Sequence, residues 1–264
     1  MIALIAMFKN ESHILKEWLD HYLREGVDMF LLINNNSTDD YQSILEPYIK
    51  SGNVLLKHSK KQNAQTKLYN TWLFEAKKYD WVIVVDLDEF IYSRNGFKTI
   101  KDYLKTVDKH IYKIVIPWKL FGSSGFKKQP SSVIQNFIHR KKFPDVSTHL
   151  NLNNRVTFVK SICRGSHLKT IHVHSSKVTD SHESFSNNDM HKDINFTLMD
   201  ETLLETQSLH LNHYRIQSWE FYKKVKMTRG DGFLKNYNHI RTKKFFKAFD
   251  YHDMKDTELK NKQY

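Results

Sequence analysis

Residues 81–90, WVIVVDLDEF, form an apolar β-branched run that ends in three carboxylates. Such a run is typical of a strand buried on both faces near the centre of a parallel sheet. Because side chains alternate along an extended chain, Asp86 and Asp88 are expected on one side, and the same alternation turns Glu89 away. Two like charges at the carboxyl edge of a sheet favour a divalent cation between them, although an acidic turn before a helix is the alternative.

The composition limits the size and the partners of the protein. With 264 residues and 40% hydrophobic side chains, the chain is large enough for one α/β core and short for two independent domains. The formal net charge of +12 favours anionic partners such as nucleic acid, lipid headgroups or phosphorylated small molecules, and does not choose among them. The single cysteine, Cys163, excludes an internal disulfide and favours a reducing compartment.

The ends of the chain bear on its location. The first eight residues, MIALIAMF, carry neither a basic leader nor a small-residue cleavage site and are expected to form the first strand. Because no stretch is apolar for long enough to cross a bilayer, we expect a cytoplasmic protein, either soluble or peripheral on a membrane. Residues 241–247, RTKKFFK, mix cations with aromatics, which would suit an anionic membrane surface or a solvated helix face.

Strand and helix patterns alternate through the first part of the chain, as is typical of parallel strands joined by right-handed crossovers. Strands are predicted over residues 1–8, 27–33, 53–58, 81–85, 112–118, 155–163 and 170–178. Helices are predicted over residues 12–23, 41–50, 64–78, 100–107 and 218–229. The basic residues after 235 are expected to be a frayed tail.

A loop rich in glycine and aromatic residues follows the predicted strand 112–118. It reads WKLFGSSGF over residues 118–126, and its glycines leave the backbone free to approach a ligand closely. Trp118 and Phe121 offer flat apolar faces, which would suit a sugar ring. A hairpin turn with its aromatics in the core is the alternative.

Four motifs occur in a fixed order along the chain. They are KNE at 9–11 with the helix of Glu17 and Trp18, DLDEF at 86–90, WxxFGSSG at 118–125, and NHY at 212–214 with Ser218, Lys226, Arg229 and Gly230. This set resembles nucleotide-sugar-dependent glycosyltransferases of the GT-A type, more narrowly glycosyltransferase family 92 and its family-2-like relatives. The resemblance implies an α/β fold with a Rossmann-like, mixed, mostly parallel sheet flanked by helices. It also implies a single domain over residues 1–235, with a nucleotide-binding half (1–92), an acceptor half (93–235) and the tail at 236–264.

The resemblance implies a metal site and a ribose contact. Asp86 would face the ribose and the metal, Asp88 would bind the metal, and His213 would complete the coordination of Mn²⁺ or Mg²⁺. His172 and His174, which alternate on the predicted strand 170–178, are the reserve metal ligands.

Other implied contacts surround the nucleotide of a UDP-sugar donor. Asn10, Glu11 and Asn35 would lie around the base and ribose, although Asn35 and Asn36 stand where many relatives carry aspartates. Lys226 and Arg229 are three apart on a predicted helix and would clamp the diphosphate, with Lys160 as a further candidate. An exposed cationic helix face is the alternative. In the glycine-aromatic loop, Trp118, Phe121, Gly122, Ser123 and Ser124 would contact the sugar.

An inverting transfer also needs a carboxylate that takes the proton of the acceptor hydroxyl. The acceptor half offers Asp145, Asp180, Glu183 and Asp189. Asp180 and Glu183 are the chosen candidates, because they follow a predicted strand.

The function expected from these motifs is metal-dependent transfer of a hexose, galactose or glucose, from a UDP-sugar to a glycan, lipid-linked or protein acceptor. No obligate protein partner and no nucleic acid are expected. The alternatives are a basic nucleic-acid-binding protein or nuclease that uses Asp86 and Asp88 for two metals, and an inactive relative that serves as a scaffold.

Overall fold

A computed structural model of the chain describes residues 1–143, 156–179, 183–185, 190–191, 196–228 and 241–264. The strands are β1 (Ile2–Phe8), β2 (Met29–Asn34), β3 (Val54–His58), β4 (Trp81–Val84), β5 (Glu89–Ser93), β6 (Lys113–Leu120), β7 (His139–Arg140), β8 (Val156–Arg164), β9 (Leu168–Thr170), β10 (Lys177–Val178), β11 (Glu183–Phe185), β12 (Met190–His191), β13 (Phe196–Leu198), β14 (Leu209–His213) and β15 (Met254–Lys255). The helices are α1 (Ser12–Arg24), α2 (Tyr41–Lys50), α3 (Gln65–Tyr69), α4 (Leu73–Ala76), α5 (Ile100–Thr106), α6 (Val133–Asn136), α7 (Glu201–Glu205), α8 (Trp219–Phe221) and α9 (Lys243–Ala248).

One large mixed sheet organises the molecule. Its main path runs β12-β11-β6-β8-β4-β1-β2-β3, with β13 beside β8 and with β14 joining β5 to β6. Strands β4, β1, β2 and β3 are parallel to their neighbours in this half, whereas β8 is antiparallel to both β4 and β6. The prediction of a mixed, mostly parallel sheet flanked by helices is therefore confirmed.

Helix α1 shows how local sequence builds the core on one face of the sheet. Its apolar residues recur at helical spacing, so Ile14, Trp18 and Tyr22 fall on one face and are fully buried. They belong to the same core cluster as Phe30 of β2 and Phe90 of β5. Burying side chains of this size contributes about 1.5–3 kcal/mol each. The amphipathic pattern thus positions α1 directly against the turn that follows β4.

Three predicted elements differ from the structure. The predicted helix 64–78 is interrupted by a 3₁₀ turn, Asn70–Trp72, between α3 and α4. The predicted strand 170–178 is wrong, because β9 and β10 are two short antiparallel strands with residues 171–176 outside them. The predicted helix at 218–229 begins as expected, since Ser218 Oγ accepts a hydrogen bond from Phe221 N–H (3.1 Å), but it continues as a π-helical turn, Tyr222–Lys226.

The final residues of the chain are packed rather than frayed, so that expectation is wrong for residues 242–264. Strand β15 pairs with β7, and Leu259 is buried. Lys262 Nζ donates to a carboxylate oxygen of Glu25 and to the carbonyl of Ser93, both distant in sequence. The division at residues 92 and 235 stays a prediction. Over the described ranges, none of the helices has the length and apolar character needed to cross a membrane.

Candidate active site

The acidic motif after β4 is a tight turn rather than an extended segment. The strand ends at Val84, and Glu89 N–H donates to the carbonyl of Asp86 (3.1 Å) as β5 begins. A carboxylate oxygen of Glu89 in turn accepts from Asp86 N–H (2.9 Å). The expectation that Glu89 points away is therefore wrong, because the alternation of side chains holds only for extended backbone.

Helix α1 holds this turn in place. The indole N–H of Trp18 lies within hydrogen-bond distance of the carbonyls of Asp86 (3.2 Å) and Glu89 (3.1 Å). The hydroxyl of Tyr22 donates to the Glu89 carbonyl (3.0 Å) and accepts from Ile91 N–H (2.9 Å). These bonds satisfy backbone groups that the turn would otherwise leave buried without partners.

Glu17, the other residue of the α1 motif, has a structural role. Its carboxylate accepts from Ser132 Oγ (2.5 Å) and from Val133 N–H (2.7 Å). It therefore caps the first turn of α6.

Asp86 lies between a buried lysine and two neutral donors. Its carboxylate accepts from Lys160 Nζ (2.8 Å), Gln65 Nε2 (2.7 Å) and the hydroxyl of Tyr69 (3.2 Å). Burial raises the pKa of Asp86, but the charge and the hydrogen bond of Lys160, together with the charge of His213, lower the net pKa. Asp86 is thus an ionised carboxylate with 28% of its side chain exposed, open to a ligand on one side.

Asp88 meets a lysine and a histidine from the last part of the chain. Its Oδ2 accepts from Lys226 Nζ (2.6 Å), and its Oδ1 lies 3.5 Å from His213 Nε2. Burial opposes ionisation, yet Lys226 and His213 hold the pKa of Asp88 well below its usual range. Burial lowers the pKa of His213, which favours the neutral imidazole that a metal requires.

Glu89 is a member of this site that sequence reasoning missed. It is fully buried, and its Oε2 lies 3.0 Å from Lys160 Nζ. Burial, aided by the charges of Asp86 and Asp88, raises the pKa of Glu89 to about 8 despite Lys160. Its Oε1 faces His213 Nδ1 across 4.0 Å, and within the described part of the chain neither atom has a hydrogen-bond partner. The only signal in the sequence was its position directly after Asp88.

The residues present fit a metal ion as a two-ligand site without Asp86, whose carboxylate oxygens are bonded to Lys160, Gln65 and Tyr69. Across the described residues, no group of three or more His, Cys, Asp or Glu side chains is arranged to hold a metal. Asp88 Oδ1 and His213 Nε2 are 3.5 Å apart, close to the separation of about 3 Å between adjacent ligands of an octahedral ion. Mg²⁺ is commonly held by one or two protein ligands, with substrate phosphates and water completing its shell.

The loops after β1 and β2 are bound to each other. Asn10, at φ 54°, accepts from Thr38 N–H (2.7 Å) through its side-chain oxygen. The Asn35 amide donates to the carbonyls of Ser59 (3.3 Å) and Lys61 (2.9 Å). Glu11 is buried, 3.6 Å from Lys226 Nζ. Of the three residues assigned to the base and ribose, Glu11 therefore lies beside the acidic turn, and the other two stabilise the loops.

The glycine-aromatic loop reaches the site through the ring of Trp118 and through the backbone of Phe121, whose N–H donates to the carbonyl of His213 (3.0 Å). Trp118 packs against His213, with ring centroids 4.3 Å apart, whereas Phe121 is 1% exposed. A Cβ on Gly122 would come within 2.2 Å of the Tyr251 carbonyl oxygen.

The two serines of the loop have protein partners. The backbone N–H of Ser123 donates to Asp250 (2.7 Å). Ser124 Oγ accepts from the N–H groups of Ile138 (2.8 Å) and His139 (3.1 Å). Phe121, Gly122, Ser123 and Ser124 thus position neighbouring segments, and their contact with a sugar stays a prediction.

The remaining candidates are dispersed. Asp145, Asp180, Asp189 and Arg229 lie outside the described residues. Glu183 pairs through its backbone with Lys113, at the amino end of β6 and about 16 Å along that strand from Trp118. His172 and His174 lie in the loop between β9 and β10, and the ring of His174 is 5.3 Å from that of Trp118.

Comparison with known proteins gives one family. The model of glycosyltransferase family 92 matches residues 4–264. A family 92 protein of Ricinus communis is 24% identical over 84% of this chain and 36% of its own length. One of Oryza sativa is 27% identical over 49% of this chain and 23% of its own length. The chain thus spans about a third or less of these relatives.

Solved structures also align with part of the chain. TarS of S. aureus in complex with UDP-GlcNAc aligns with a TM-score of 0.41 and 20% identity, over 64% of this chain and 46% of that one. GalNAc-T7 with UDP, GalNAc and Mn²⁺ aligns with a TM-score of 0.37 and 11% identity, over 62% of this chain and 35% of that one.

Proposed function

The chain belongs to glycosyltransferase family 92, and we propose that it transfers a hexose, galactose or glucose, from a UDP-sugar to a glycan, lipid-linked or protein acceptor with inversion. The observation that carries this proposal is the convergence of Asp86, Asp88, His213, Lys160 and Lys226 at the turn after β4. Family membership favours this transfer over the nuclease alternative. The chain spans only part of the length of these relatives, so the donor and the acceptor are both part of the proposal.

We assign Asp88 and His213 as the protein ligands of a divalent metal, Mn²⁺ or Mg²⁺. When bound, the metal neutralises charge on the departing diphosphate as a Lewis acid. Asp88 suits this role because its carboxylate stays ionised beside Lys226.

Lys160 and Lys226 supply positive charge that needs no metal. Both ammonium groups are almost completely buried, and each is bonded to a motif aspartate. A diphosphate placed beside Asp88 would meet Lys226 in a site of low dielectric, where charge stabilisation is strong. Asp86, held by Lys160, Gln65 and Tyr69, would accept hydrogen bonds from the ribose hydroxyls.

The transfer itself breaks the bond between the anomeric carbon and the diphosphate oxygen. The acceptor hydroxyl oxygen attacks that carbon from the opposite face, UDP leaves with the bonding electrons, and a carboxylate takes the hydroxyl proton. Asp180 is kept as the proposed base, because the backbone of Glu183 pairs at the amino end of β6, about 16 Å along that strand from Trp118, beyond the reach of a glutamate side chain. Asp180→Asn would lower turnover without weakening UDP binding if Asp180 is the base.

A donor screen tests the function. Protein with Mn²⁺ is mixed separately with UDP-galactose, UDP-glucose and UDP-N-acetylglucosamine, and UDP release and thermal unfolding are recorded. We expect at least one donor to raise the melting temperature and release UDP, because binding to the native state stabilises it.

Asp88→Ala should abolish the metal-dependent part of this response. Glu46→Ala, which removes an exposed carboxylate of α2 that pairs with Lys50, should leave it intact. The proposal is wrong if no UDP-sugar binds to the native protein. Metal-dependent UDP binding that survives Asp88→Ala would instead indicate an inactive scaffold.

A further inference from the structure

Three aromatic rings from different parts of the chain meet beside the candidate active site. Trp118 comes from β6, Phe158 from β8, and His174 from the loop between β9 and β10. Their ring centroids form a triangle: 5.2 Å from Trp118 to Phe158, 5.3 Å from Trp118 to His174, and 5.0 Å from Phe158 to His174. We refer to these three residues as the ring cluster. It contacts the site through Trp118, whose ring is 4.3 Å from that of His213.

Resting on the proposed function, we propose that the ring cluster binds the pyranose ring of a carbohydrate acceptor, which stacks on Phe158 and hydrogen-bonds to Trp118 and His174. The acceptor would accordingly be a glycan rather than a protein side chain.

The first argument is the exposure of Phe158. Its side chain is 41% exposed, whereas the adjacent Thr157, Val159 and Lys160 of the same strand are buried. A single exposed phenylalanine has no meaning by itself. Here, however, the exposed ring packs on two other rings, and one of them, Trp118, packs on His213, so a flat apolar surface is presented beside the site.

The second argument is a set of polar atoms without partners. Among the residues that the structure describes, Trp118 Nε1 and His174 Nδ1 are buried and form no hydrogen bond, although the Trp118 side chain is 7% exposed. Buried polar atoms are nearly always paired, so such exceptions favour a ligand. Indole N–H is a donor only, and a neutral imidazole nitrogen donates or accepts.

These two features together match the chemistry of a sugar ring. A pyranose has an apolar face of C–H groups and hydroxyls around its rim, so it needs a flat apolar surface with hydrogen-bonding groups beside it. Burial, with help from Lys160, lowers the pKa of His174 to about 4, so this imidazole is neutral near pH 7. A neutral imidazole can either donate a hydrogen bond to a sugar hydroxyl or accept one from it.

The third argument is position, which favours the acceptor over the nucleotide. Strands β8 and β6 lie on one side of β4, and β1 and β2, with the loops of Asn10 and Asn35, lie on the other. The ring cluster is therefore separated from the proposed base and ribose contacts by the acidic turn. A ring bound there would approach the carboxylates from the side opposite to the nucleotide.

The test uses binding of simple sugars, so that it does not depend on turnover. Methyl glycosides of glucose, galactose, N-acetylglucosamine and fucose are mixed with the full chain, with and without UDP and Mn²⁺, and saturation-transfer NMR records which sugar protons contact protein. We expect saturation concentrated on one face of at least one glycoside. Phe158→Ala should weaken binding of that glycoside about 10-fold, whereas Phe158→Tyr, which keeps the aromatic ring, should bind it as the wild type does.

Phe74 provides the matched control. It is 82% exposed on α4, and Phe74→Ala should change no glycoside signal. In the transfer assay, Phe158→Ala should raise the KM for the acceptor and leave the KM for the UDP-sugar unchanged.

Three results would each overturn the subsite. Glycoside binding could be equal in wild type and Phe158→Ala, it could be absent from both, or the effect of Phe158→Ala could be confined to the donor KM. Failure of every UDP-sugar to bind, with glycoside binding still dependent on Phe158, would refute the proposed function and leave the sugar subsite standing.

Discussion

Two clusters of buried charges lie on opposite faces of β6, and they differ in how completely the protein satisfies them. The site cluster comprises Asp86, Asp88, Glu89, Lys160, Lys226 and His213. The C-terminal cluster comprises Tyr92, Arg94, Lys119, Arg140, His210, Asp256 and Glu258. Trp118 adjoins the first and Lys119 belongs to the second, as expected for successive residues of a strand.

The C-terminal cluster is complete. Lys119 Nζ donates to Asp256 (2.9 Å) and to the hydroxyl of Tyr92 (2.6 Å), and Arg140 Nε donates to Asp256 (2.7 Å). Glu258 accepts from Arg94 (2.6 Å) and contacts His210 (2.8 Å). Among the residues that the structure describes, every buried side-chain N or O atom of this cluster has a hydrogen-bond partner.

The site cluster is incomplete. Glu89 Oε1 and His213 Nδ1 have no hydrogen-bond partner among the described residues, and neither does Oδ1 of the adjacent Asn212. Asp88 Oδ1 and His213 Nε2 lie 3.5 Å apart. In a cluster that joins segments of the protein, the buried polar atoms are hydrogen-bonded to one another. In a cluster that binds a ligand, some buried polar atoms are left without a protein partner and can bond to the ligand.

The largest expected difference comes from Lys119 and Lys160, one buried lysine from each cluster. Lys119→Met should lower the free energy of unfolding by about 3–5 kcal/mol, because it leaves Asp256 and Glu258 without one of their cations. Lys160→Met should cost less stability, since Glu89 is neutral near pH 7 and the partly exposed carboxylate of Asp86 keeps its hydrogen bonds from Gln65 and Tyr69. It should lower turnover about 100-fold or more.

Chemical denaturation and UDP release on the two variants measure both effects. Turnover per folded molecule should be unchanged in Lys119→Met. The distinction between the clusters fails if Lys119→Met abolishes turnover of the folded protein or if Lys160→Met leaves it intact.

Local patterns in the sequence were sufficient for much of the fold and for part of the site. Helix α1 was predicted over residues 12–23 and spans Ser12–Arg24, because the spacing of Ile14, Trp18 and Tyr22 is contained in the segment itself. Asp88 and His213 were paired through the order of the motifs, and the structure places them together.

The rest depended on contacts between distant residues. Glu89 turns toward Lys160 because Trp18 and Tyr22 hold the turn, and no period within residues 81–90 contains that information. The C-terminal residues look like a basic tail in sequence. Asp256 and Glu258 nevertheless find Lys119 and Arg94, which are more than 100 residues away along the chain and which no local pattern can indicate.

The pH dependence of stability should have opposite signs in the two clusters. The cations around Asp256 hold its pKa at about 2, below the ordinary 3.8, so its contribution is lost as pH falls from about 4 to 2. The pKa of Glu89 is raised from 4.5 to about 8, so the native state binds a proton that the unfolded state releases. Stability should therefore fall as pH rises from 4.5 to 8, by up to about 1 kcal/mol per pH unit.

Denaturant titrations from pH 3 to 9 on wild type, Glu89→Gln and Asp256→Asn separate these effects. Glu89→Gln, a neutral mimic of the protonated acid, should remove the loss between pH 5 and 8 and leave the acid limb unchanged. Asp256→Asn should do the reverse. If the free energy of unfolding depends on pH in the same way for wild type and Glu89→Gln, then Glu89 titrates normally. The carboxylates of the site cluster would then be as well paired as those of the C-terminal cluster.

The smallest expected effect comes from two tyrosine hydroxyls: that of Tyr92 within the C-terminal cluster and that of Tyr69, which is bonded to Asp86 of the site cluster. The Tyr92 hydroxyl donates to Glu258 (2.7 Å) and accepts from Lys119, whereas that of Tyr69 donates to Asp86 (3.2 Å) and accepts from Gln65 (2.8 Å). Tyr92→Phe should cost about 1–3 kcal/mol of stability without changing the donor KM, because two charged groups lose a buried partner. Tyr69→Phe should cost less than about 1 kcal/mol, since the partly exposed Asp86 keeps Lys160 and Gln65, and it should raise the donor KM about 2- to 5-fold. Equal losses of stability with an unchanged donor KM in both variants would mean that Asp86 is held for structure alone.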